Sequence, residues 1–165
     1  LIRTTRDVTG AKIIGLDANE SYLKFCRNHK VYDELVKHSL PSLPFKDKSI
    51  DFLICTEVIE HLTKEKGKKL LEEINRVCRQ RALITTPNVY FETEPAKFED
   101  SHHSLWSQRD FGKFGYKVYG IGLRTTLLQK DPLLKLKQAL YYMFTPISYL
   151  IPQIGGSILC VKDFE

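Results

Sequence analysis

Ile50-Asp51-Phe52-Leu53-Ile54-Cys55 is a nearly continuous apolar run about a third of the way along the chain. Runs of this length and character are typical of a strand that is buried on both faces of a parallel sheet. A helical pattern follows over residues 63–80, with apolar residues at i, i+1, i+4, i+7 and i+8. That spacing places them on one face of a helix. The stripe consists of Leu70, Leu71, Ile74, Val77 and Cys78.

Short apolar runs alternate with helical patterns on both sides of this unit. Further strands are predicted at 12–16, 35–38, 82–86, 116–121 and 157–162. One helix is predicted over 20–29, capped by Asn19 or Ser21. Ser107-x-x-Asp110 opens a short helix as a capping box, with Phe111 and Phe114 facing inward. The alternation predicts an α/β domain with a mostly parallel sheet.

Length and composition indicate one ordinary globular domain. The chain has 165 residues, of which 42% are hydrophobic and 27% charged, which argues against disorder and predicts a single domain over 1–165. A net charge of +5 permits an acidic partner without requiring one. The four cysteines form no C-x-x-C pair, so a zinc knuckle or a redox motif is not expected. No signal peptide is visible at the first residues, and we expect a reducing, cytoplasmic setting.

Polar residues follow several predicted strands, where open parallel sheets bind their ligands. They are Asp17, Ser39, Cys55-Thr56-Glu57 and Pro87-Asn88. Asp17 has two interpretations at this stage. It can accept hydrogen bonds from a ribose diol, or it can stabilise the N-terminus of the next helix.

The stretch 43–51, L-P-F-K-D-K-S-I-D, runs through the central strand into Thr56-Glu57-Val58-Ile59-Glu60-His61-Leu62. This series resembles class I S-adenosylmethionine-dependent methyltransferases. Thr86-Pro87-Asn88, and His102 four residues before Trp106, resemble that family too, so the resemblance covers residues 10–123. It implies a Rossmann-like, mostly parallel sheet with helices on both faces and an antiparallel last strand.

The resemblance implies S-adenosylmethionine as the cofactor. The binding residues that it implies are Asp17, Ala18, Ser39, Leu40, Thr56 and Glu57. In the family pattern Asp17 binds the ribose hydroxyls, and Ser39 with Leu40 lies against the adenine. Ser39 stands where the family usually has Asp, which weakens the expected hydrogen bond to the adenine amino group. Thr56 and Glu57 are expected near the methionine end, where a carboxylate suits the cationic groups.

Methyl transfer to an oxygen acceptor benefits from a general base, and His61 and His102 are the candidate catalytic residues. A structural role for His61 at the start of the 63–80 helix is the alternative. Glu57, Glu60, His61 and the later His also resemble the metal-binding set of small-RNA 3′-terminal 2′-O-methyltransferases. That alternative is a metal-using RNA methyltransferase; the favoured assignment has no metal.

Lys64, Lys66, Lys68 and Lys69 are interpreted as a solvated first turn of a helix, and nucleic acid is not favoured as a partner. The segment 124–156 is a hydrophobic insertion between the last two strands. We expect it to be a lid over an apolar acceptor pocket. A dimer surface, core packing and interfacial membrane contact through 131–151 are the less favoured alternatives.

The predicted function is methyl transfer from S-adenosylmethionine to a small, possibly apolar acceptor. A non-catalytic binding or assembly domain of the same fold is the alternative from another class. The family's glycine-rich loop is not found upstream of Asp17, and residues 1–8 resemble the helix that follows that loop. We therefore expect the natural protein to be longer at its N-terminus, with a first strand that this sequence lacks. The sequence does not indicate an oligomeric state.

Overall fold

The computed structural model describes residues 10–88, 102–123 and 134–165. They fall into two compact units, one ending at Pro44 and the other starting at Phe45. The predicted helix over 1–8, and the part of the 124–156 insertion before residue 134, lie outside the described residues.

The first unit is a single β-α-β element. It consists of β1 (Ile14–Asp17), α1 (Glu20–His29) and β2 (Glu34–Lys37). The two strands are parallel, with Asp17 opposite Lys37. Helix α1 begins after Asn19, whose side chain accepts a hydrogen bond from the Ser21 backbone N–H at 2.9 Å. Asn19 is therefore the cap, and Ser21 lies inside the helix.

The second unit contains a four-stranded mixed sheet in the order β3-β4-β6-β5. Its strands are β3 (Ile50–Thr56), β4 (Cys78–Pro87), β5 (Lys117–Ile121) and β6 (Ser157–Asp163). β3 and β4 are parallel, whereas β6 runs antiparallel to both β4 and β5. The α/β class and the antiparallel last strand are as predicted.

Three helices connect these strands. They are α2 (Lys64–Val77), α3 (Gln108–Gly112) and α4 (Leu134–Leu150), with 3-10 turns at Ile59–His61 and Pro152–Ile154. Helix α2 is capped by Thr63 and buries the predicted apolar stripe. It ends at Val77, earlier than predicted, because Cys78 is already extended and begins β4. Helix α4 lies in the chain between β5 and β6, within the predicted insertion.

The prediction that the central strand is buried on both faces is wrong for β3. Phe52 and Ile54 expose 65% and 67% of their surface. Successive side chains of a strand point to opposite faces, and among the described residues the face that carries Phe52 and Ile54 is not covered. A continuous apolar run indicates that each residue of a strand can be buried. It does not indicate which face of the strand a neighbouring element covers.

No helix among the described residues is long and apolar enough to cross a membrane. All four cysteines carry free thiols. Cys78 and Cys160 are buried, and Cys55 is half-buried.

Candidate active site

In the first unit, the predicted ribose ligand Asp17 ends β1. Its Oδ1 accepts a hydrogen bond from the Asn19 N–H at 2.7 Å, and its backbone carbonyl accepts one from the His38 N–H at 3.1 Å. The first bond is the helix-flanking role that the sequence left open. Within the described residues, Oδ2 has no hydrogen-bond partner. The carboxylate can therefore hold the start of α1 and still accept a further donor.

The other predicted adenosine contacts lie at the same edge of this small sheet. β1 and β2 are parallel and in register, so their carboxyl ends lie side by side. Ala18 follows β1 and is exposed, whereas Ser39 and Leu40 follow β2 and are exposed and half-buried respectively. The structure brings these three residues to the edge that Asp17 occupies.

In the second unit, Thr56 and Glu57 occupy the carboxyl end of β3. Glu57 has a φ of 52°, a left-handed conformation that costs a non-glycine residue about 1–2 kcal/mol. Thr85 of β4 holds it there: the Glu57 N–H donates to the Thr85 carbonyl at 3.0 Å, and the Thr85 hydroxyl donates to Glu57 Oε1 at 2.9 Å. Backbone strain that neighbours hold in place is a feature of functional sites.

Glu60 is the most unusual side chain of this region, because it is a carboxyl group exposed by only 2%. Its Oε2 accepts a hydrogen bond from the buried Thr86 hydroxyl at 2.9 Å. Its Oε1 is buried and has no partner among the described residues. Burial raises the pKa of Glu60 above its usual range, although hydrogen bonds from the backbone and from Thr86 oppose that shift.

Two imidazoles lie next to this carboxyl group. The rings of His61 and His102 meet edge to face, with their centroids 5.1 Å apart. One ligand atom each from Glu60, His61 and His102 lies within 4.8 Å of the others. The structure therefore brings the two predicted catalytic histidines together and adds Glu60 to them; we call these three residues the Glu60 cluster.

The backbone of the loop that carries His102 is attached to the 3-10 turn that precedes α2. The Glu60 carbonyl accepts hydrogen bonds from the His103 and Ser104 N–H groups, at 2.8 and 3.1 Å. The Ser104 hydroxyl in turn accepts one from Trp106 Nε1 at 2.7 Å. These bonds fix His102 beside His61, although the two residues are far apart in sequence.

Trp106 anchors the same loop by packing. It is almost fully buried, and its ring lies against Gly67 of α2, where a Cβ would come within 2.2 Å of the ring. Lys64 Nζ lies 3.9 Å from the ring centroid and donates hydrogen bonds to the Leu105 carbonyl at 2.6 Å and to Asp110 at 2.9 Å. Lys64 is thus part of the loop anchor, whereas Lys66, Lys68 and Lys69 are exposed as predicted.

Asp110 completes this anchor. It forms the predicted capping box with Ser107 at the start of α3. Burial opposes ionisation, but hydrogen bonds from Lys64 and Ser107 outweigh it and lower the pKa of Asp110 to about 2. The Asp110 carboxyl group therefore stays ionised over the ordinary pH range.

Cys55 lies at the end of β3 but is not suited to act as a nucleophile. Burial, with a smaller contribution from the nearby Glu60 carboxylate, raises the pKa of its thiol to about 12. Because the thiolate is the reactive form, this cysteine stays inert near neutral pH.

Thr85, Thr86 and the central position of Glu60 were not assigned from the sequence. The available signal was the pair of hydroxyl residues that ends an otherwise apolar strand before Pro87. These two residues end β4 beside the end of β3, where the Thr85 hydroxyl donates to Glu57 and the Thr86 hydroxyl to Glu60.

A family profile described as a methyltransferase domain matches residues 3–85, which is half of the chain. The chain belongs to the class I S-adenosylmethionine-dependent methyltransferase family. S-adenosylmethionine is accordingly its cofactor. No curated protein shows significant sequence similarity to this methyltransferase.

Several solved structures share its fold. An S-adenosylmethionine-dependent methyltransferase from Archaeoglobus fulgidus superposes with a TM-score of 0.62 at 18% identity, over 98% of this chain and 80% of that one. The methyltransferase in a Haloferax volcanii complex with the activator Trm112 gives 0.62 at 19% identity, over 96% and 74%.

Phosphoethanolamine N-methyltransferase 2 from Haemonchus contortus, solved with S-adenosyl-L-methionine, gives a TM-score of 0.57 at 15% identity, over 98% of this chain and 45% of that one. At these identities the likeness concerns the fold.

Proposed function

We propose that this methyltransferase transfers the methyl group of S-adenosylmethionine to an oxygen of a small, apolar acceptor. The observation that carries the proposal is the Glu60 cluster: two imidazoles and a buried carboxyl group at the carboxyl ends of β3 and β4, following Glu57 in sequence. A base beside the acceptor would assist methyl transfer to oxygen.

The residues present fit the chemistry of the cofactor. When bound, S-adenosylmethionine supplies a methyl group on a sulfonium, a leaving group already activated by its charge. Glu57 offers an exposed carboxylate, held by Thr85, for the cationic methionine end. Asp17, with Ala18 beside it, offers Oδ2 to the ribose hydroxyls. Thr56 is proposed as a further contact at the methionine end, and Ser39 with Leu40 as the contacts to adenine.

The Glu60 cluster is proposed to accept the proton that the acceptor oxygen loses. With S-adenosylmethionine bound, an acceptor oxygen that took its electrophilic methyl group would have a proton to lose. His61 or His102 takes that proton, and the neighbouring Glu60 stabilises the resulting imidazolium. The cluster thus supplies both the base and the charge that balances it.

The proposed acceptor class rests on the segment between β5 and β6. Helix α4 exposes apolar side chains such as Leu140, Met143 and Ile147. These suit an apolar molecule better than a polar one. The free thiols of all four cysteines fit a reducing compartment such as the cytoplasm.

A bound metal is a second candidate role for the same cluster, favoured by one observation. Glu60 Oε1 is buried without a partner among the described residues, close to two imidazole nitrogens. One carboxylate with two imidazoles suits Zn²⁺, Mn²⁺, Co²⁺ or Fe²⁺ better than Mg²⁺ or Ca²⁺. Such an ion would polarise an acceptor oxygen. Neither the RNA nor the non-catalytic alternative gains support from the comparisons.

The test is transfer of a tritiated methyl group from S-adenosylmethionine to separated lipid, small-molecule and RNA fractions of a cell extract. We expect label in the apolar small-molecule or lipid fraction. His102→Gln should lower kcat about 10²–10⁴-fold and leave cofactor binding unchanged. His103→Gln is the matched control, because it alters the adjacent imidazole outside the cluster.

The other outcomes of this assay test the acceptor class, the catalytic activity and the role of a metal. Label in RNA alone overturns the acceptor class, and cofactor binding without transfer to any fraction favours a non-catalytic domain. If chelation abolishes transfer and Mn²⁺ restores it, the cluster is a metal site. Transfer that survives chelation leaves the histidines as the base.

A further inference from the structure

Strand β5 forms an open edge of the four-stranded sheet. It is the last strand in the order β3-β4-β6-β5 and, among the described residues, it pairs with β6 alone. In an antiparallel pair every second residue turns its backbone N–H and C=O groups away from the partner strand. An edge strand therefore presents a row of unpaired backbone groups that a further strand can bind.

An open groove lies between β5 and helix α3. Its volume is about 660 Å³, which is within the range of ligand-binding clefts. One wall consists of the four consecutive residues 116–119, and the other consists of Gln108, Arg109 and Gly112 of α3. Because consecutive residues of a strand point to opposite faces, a groove that contacts all four lies at the edge of the strand, where its backbone is open.

Helix α3 leaves room for a ligand in this groove. A Cβ built on Gly112 would meet no atom within 4 Å, so the space beside this residue is empty. Gln108, at the other end of the short helix, accepts a hydrogen bond from Gln153 Nε2 at 2.8 Å, which ties this wall to the turn after α4. A cleft between a helix and an open sheet edge suits an extended peptide that adds to the sheet as a strand.

The charged side chains that line the groove are both cationic. They are Arg109 and Lys117, one from each wall, and both are exposed. Within the described parts of the chain, neither forms an ion pair with a carboxylate. Asp110, the acidic residue of α3, is turned to Lys64 instead. The groove is therefore complementary to a ligand that carries carboxylates.

The same charges disfavour other strands at this edge. A lysine on an edge strand discourages pairing with apolar or basic segments, so Lys117 restricts the strands that can bind rather than excluding all of them. A second copy of this chain is a poor occupant, because a two-fold contact sets each surface against its own copy. Arg109 and Lys117 would then meet like charges.

We propose that the groove between α3 and β5 binds an acidic, extended segment of a partner protein, which adds to β5 as a fifth strand of the sheet. The backbone of that segment pairs with the outward N–H and C=O groups of β5, and its carboxylates face Arg109 and Lys117. The proposal does not depend on the reaction or on the acceptor that is methylated.

The test is fluorescence anisotropy of a labelled peptide of alternating glutamate and valine, with blocked termini and about the length of β5. We expect saturable binding that weakens with salt. Arg109→Glu and Lys117→Glu should each weaken it about tenfold, since each replaces an attraction by a repulsion. Gly112→Leu should weaken it as well, because the new side chain enters the groove without meeting another part of the fold.

Lys68→Glu is the matched control, because it makes the same change of charge at an exposed position of α2. It should bind the peptide as the unaltered protein does. A peptide whose backbone nitrogens are methylated keeps its carboxylates but loses its N–H donors, and should bind about tenfold more weakly. Thermal unfolding of each variant separates loss of binding from loss of the fold.

Four results would overturn the proposal. The peptide does not bind, or Lys68→Glu weakens binding as much as Lys117→Glu, which would mean attraction by net charge alone. Equal binding of the methylated peptide would mean that no strand is added. A dimer in sedimentation velocity that Gly112→Leu dissociates would make the occupant a second copy of the chain.

Discussion

The Glu60 cluster and helix α4 depart from the usual distribution of side chains in opposite directions. The cluster buries a carboxyl group beside two imidazoles, whereas α4 exposes a row of large apolar residues. In the cluster, Thr86 and the neighbouring imidazoles offset the cost of burial from inside the fold. In α4, large apolar side chains such as Tyr142 and Leu150 are exposed, and nothing among the described residues covers them. Departures from local rules are expected at functional sites, and these two indicate different functions.

The largest expected contrast compares an aromatic residue from each region. Trp106→Ala removes the buried ring that anchors the loop of His102 and should cost about 3–5 kcal/mol in the free energy of unfolding. Phe144→Ala, on the outward arc of α4, should change it by no more than about 0.5 kcal/mol. Urea unfolding of the two variants measures both values. Similar losses would mean that α4 is packed into the fold, against the proposed contrast.

A smaller contrast uses two threonines. Thr86→Val keeps the shape of the side chain but leaves both Glu60 carboxyl oxygens without a hydroxyl donor, which should cost about 1–3 kcal/mol. Thr145→Val removes only a hydroxyl bonded to the carbonyl one turn earlier in α4, and such bonds contribute little to a helix. The same unfolding assay compares them. An equal, small loss for both variants would show that Glu60 finds another donor.

The smallest expected effect is a dependence of stability on acid. The pKa of Asp110 is lowered to about 2 in the folded protein, so its ionic contacts stabilise the fold above its ordinary pKa near 4. That contribution should disappear as the pH falls from about 4 through 2. Melting temperatures over this range should decline less steeply for Asp110→Asn. Parallel declines for the variant and the unaltered protein would assign the acid sensitivity to other groups.

Sequence patterns predicted the fold well wherever a local signal decided the outcome. The apolar spacing in α2 and the Ser107–Asp110 capping box depend on neighbours within a few residues. The exposure of Phe52 and Ile54 could not be predicted, because it depends on which face of β3 another element covers. For the same reason, the sequence did not predict which side chains of α4 are exposed. The helix is apolar in composition, and only its packing against β5 shows which face is inward.

The candidate site was predictable in its residue types but not in its geometry. His61 and His102 were identified as candidates, yet their contact depends on Trp106 packing against Gly67 and on the Glu60 carbonyl holding the loop. Contacts of this kind join residues far apart in the chain, so no local pattern contains them.

The central proposal is that the carboxylates of Glu57 and Asp17 each contribute to the binding of S-adenosylmethionine. Calorimetric titration with S-adenosylmethionine tests it most directly. We predict saturable one-to-one binding that Glu57→Gln and Asp17→Asn each weaken about tenfold, since each removes a charge-assisted hydrogen bond. Glu72→Gln, which removes an exposed carboxylate of α2, should leave it unchanged. Absence of binding, or binding that neither carboxylate substitution alters, would contradict the account.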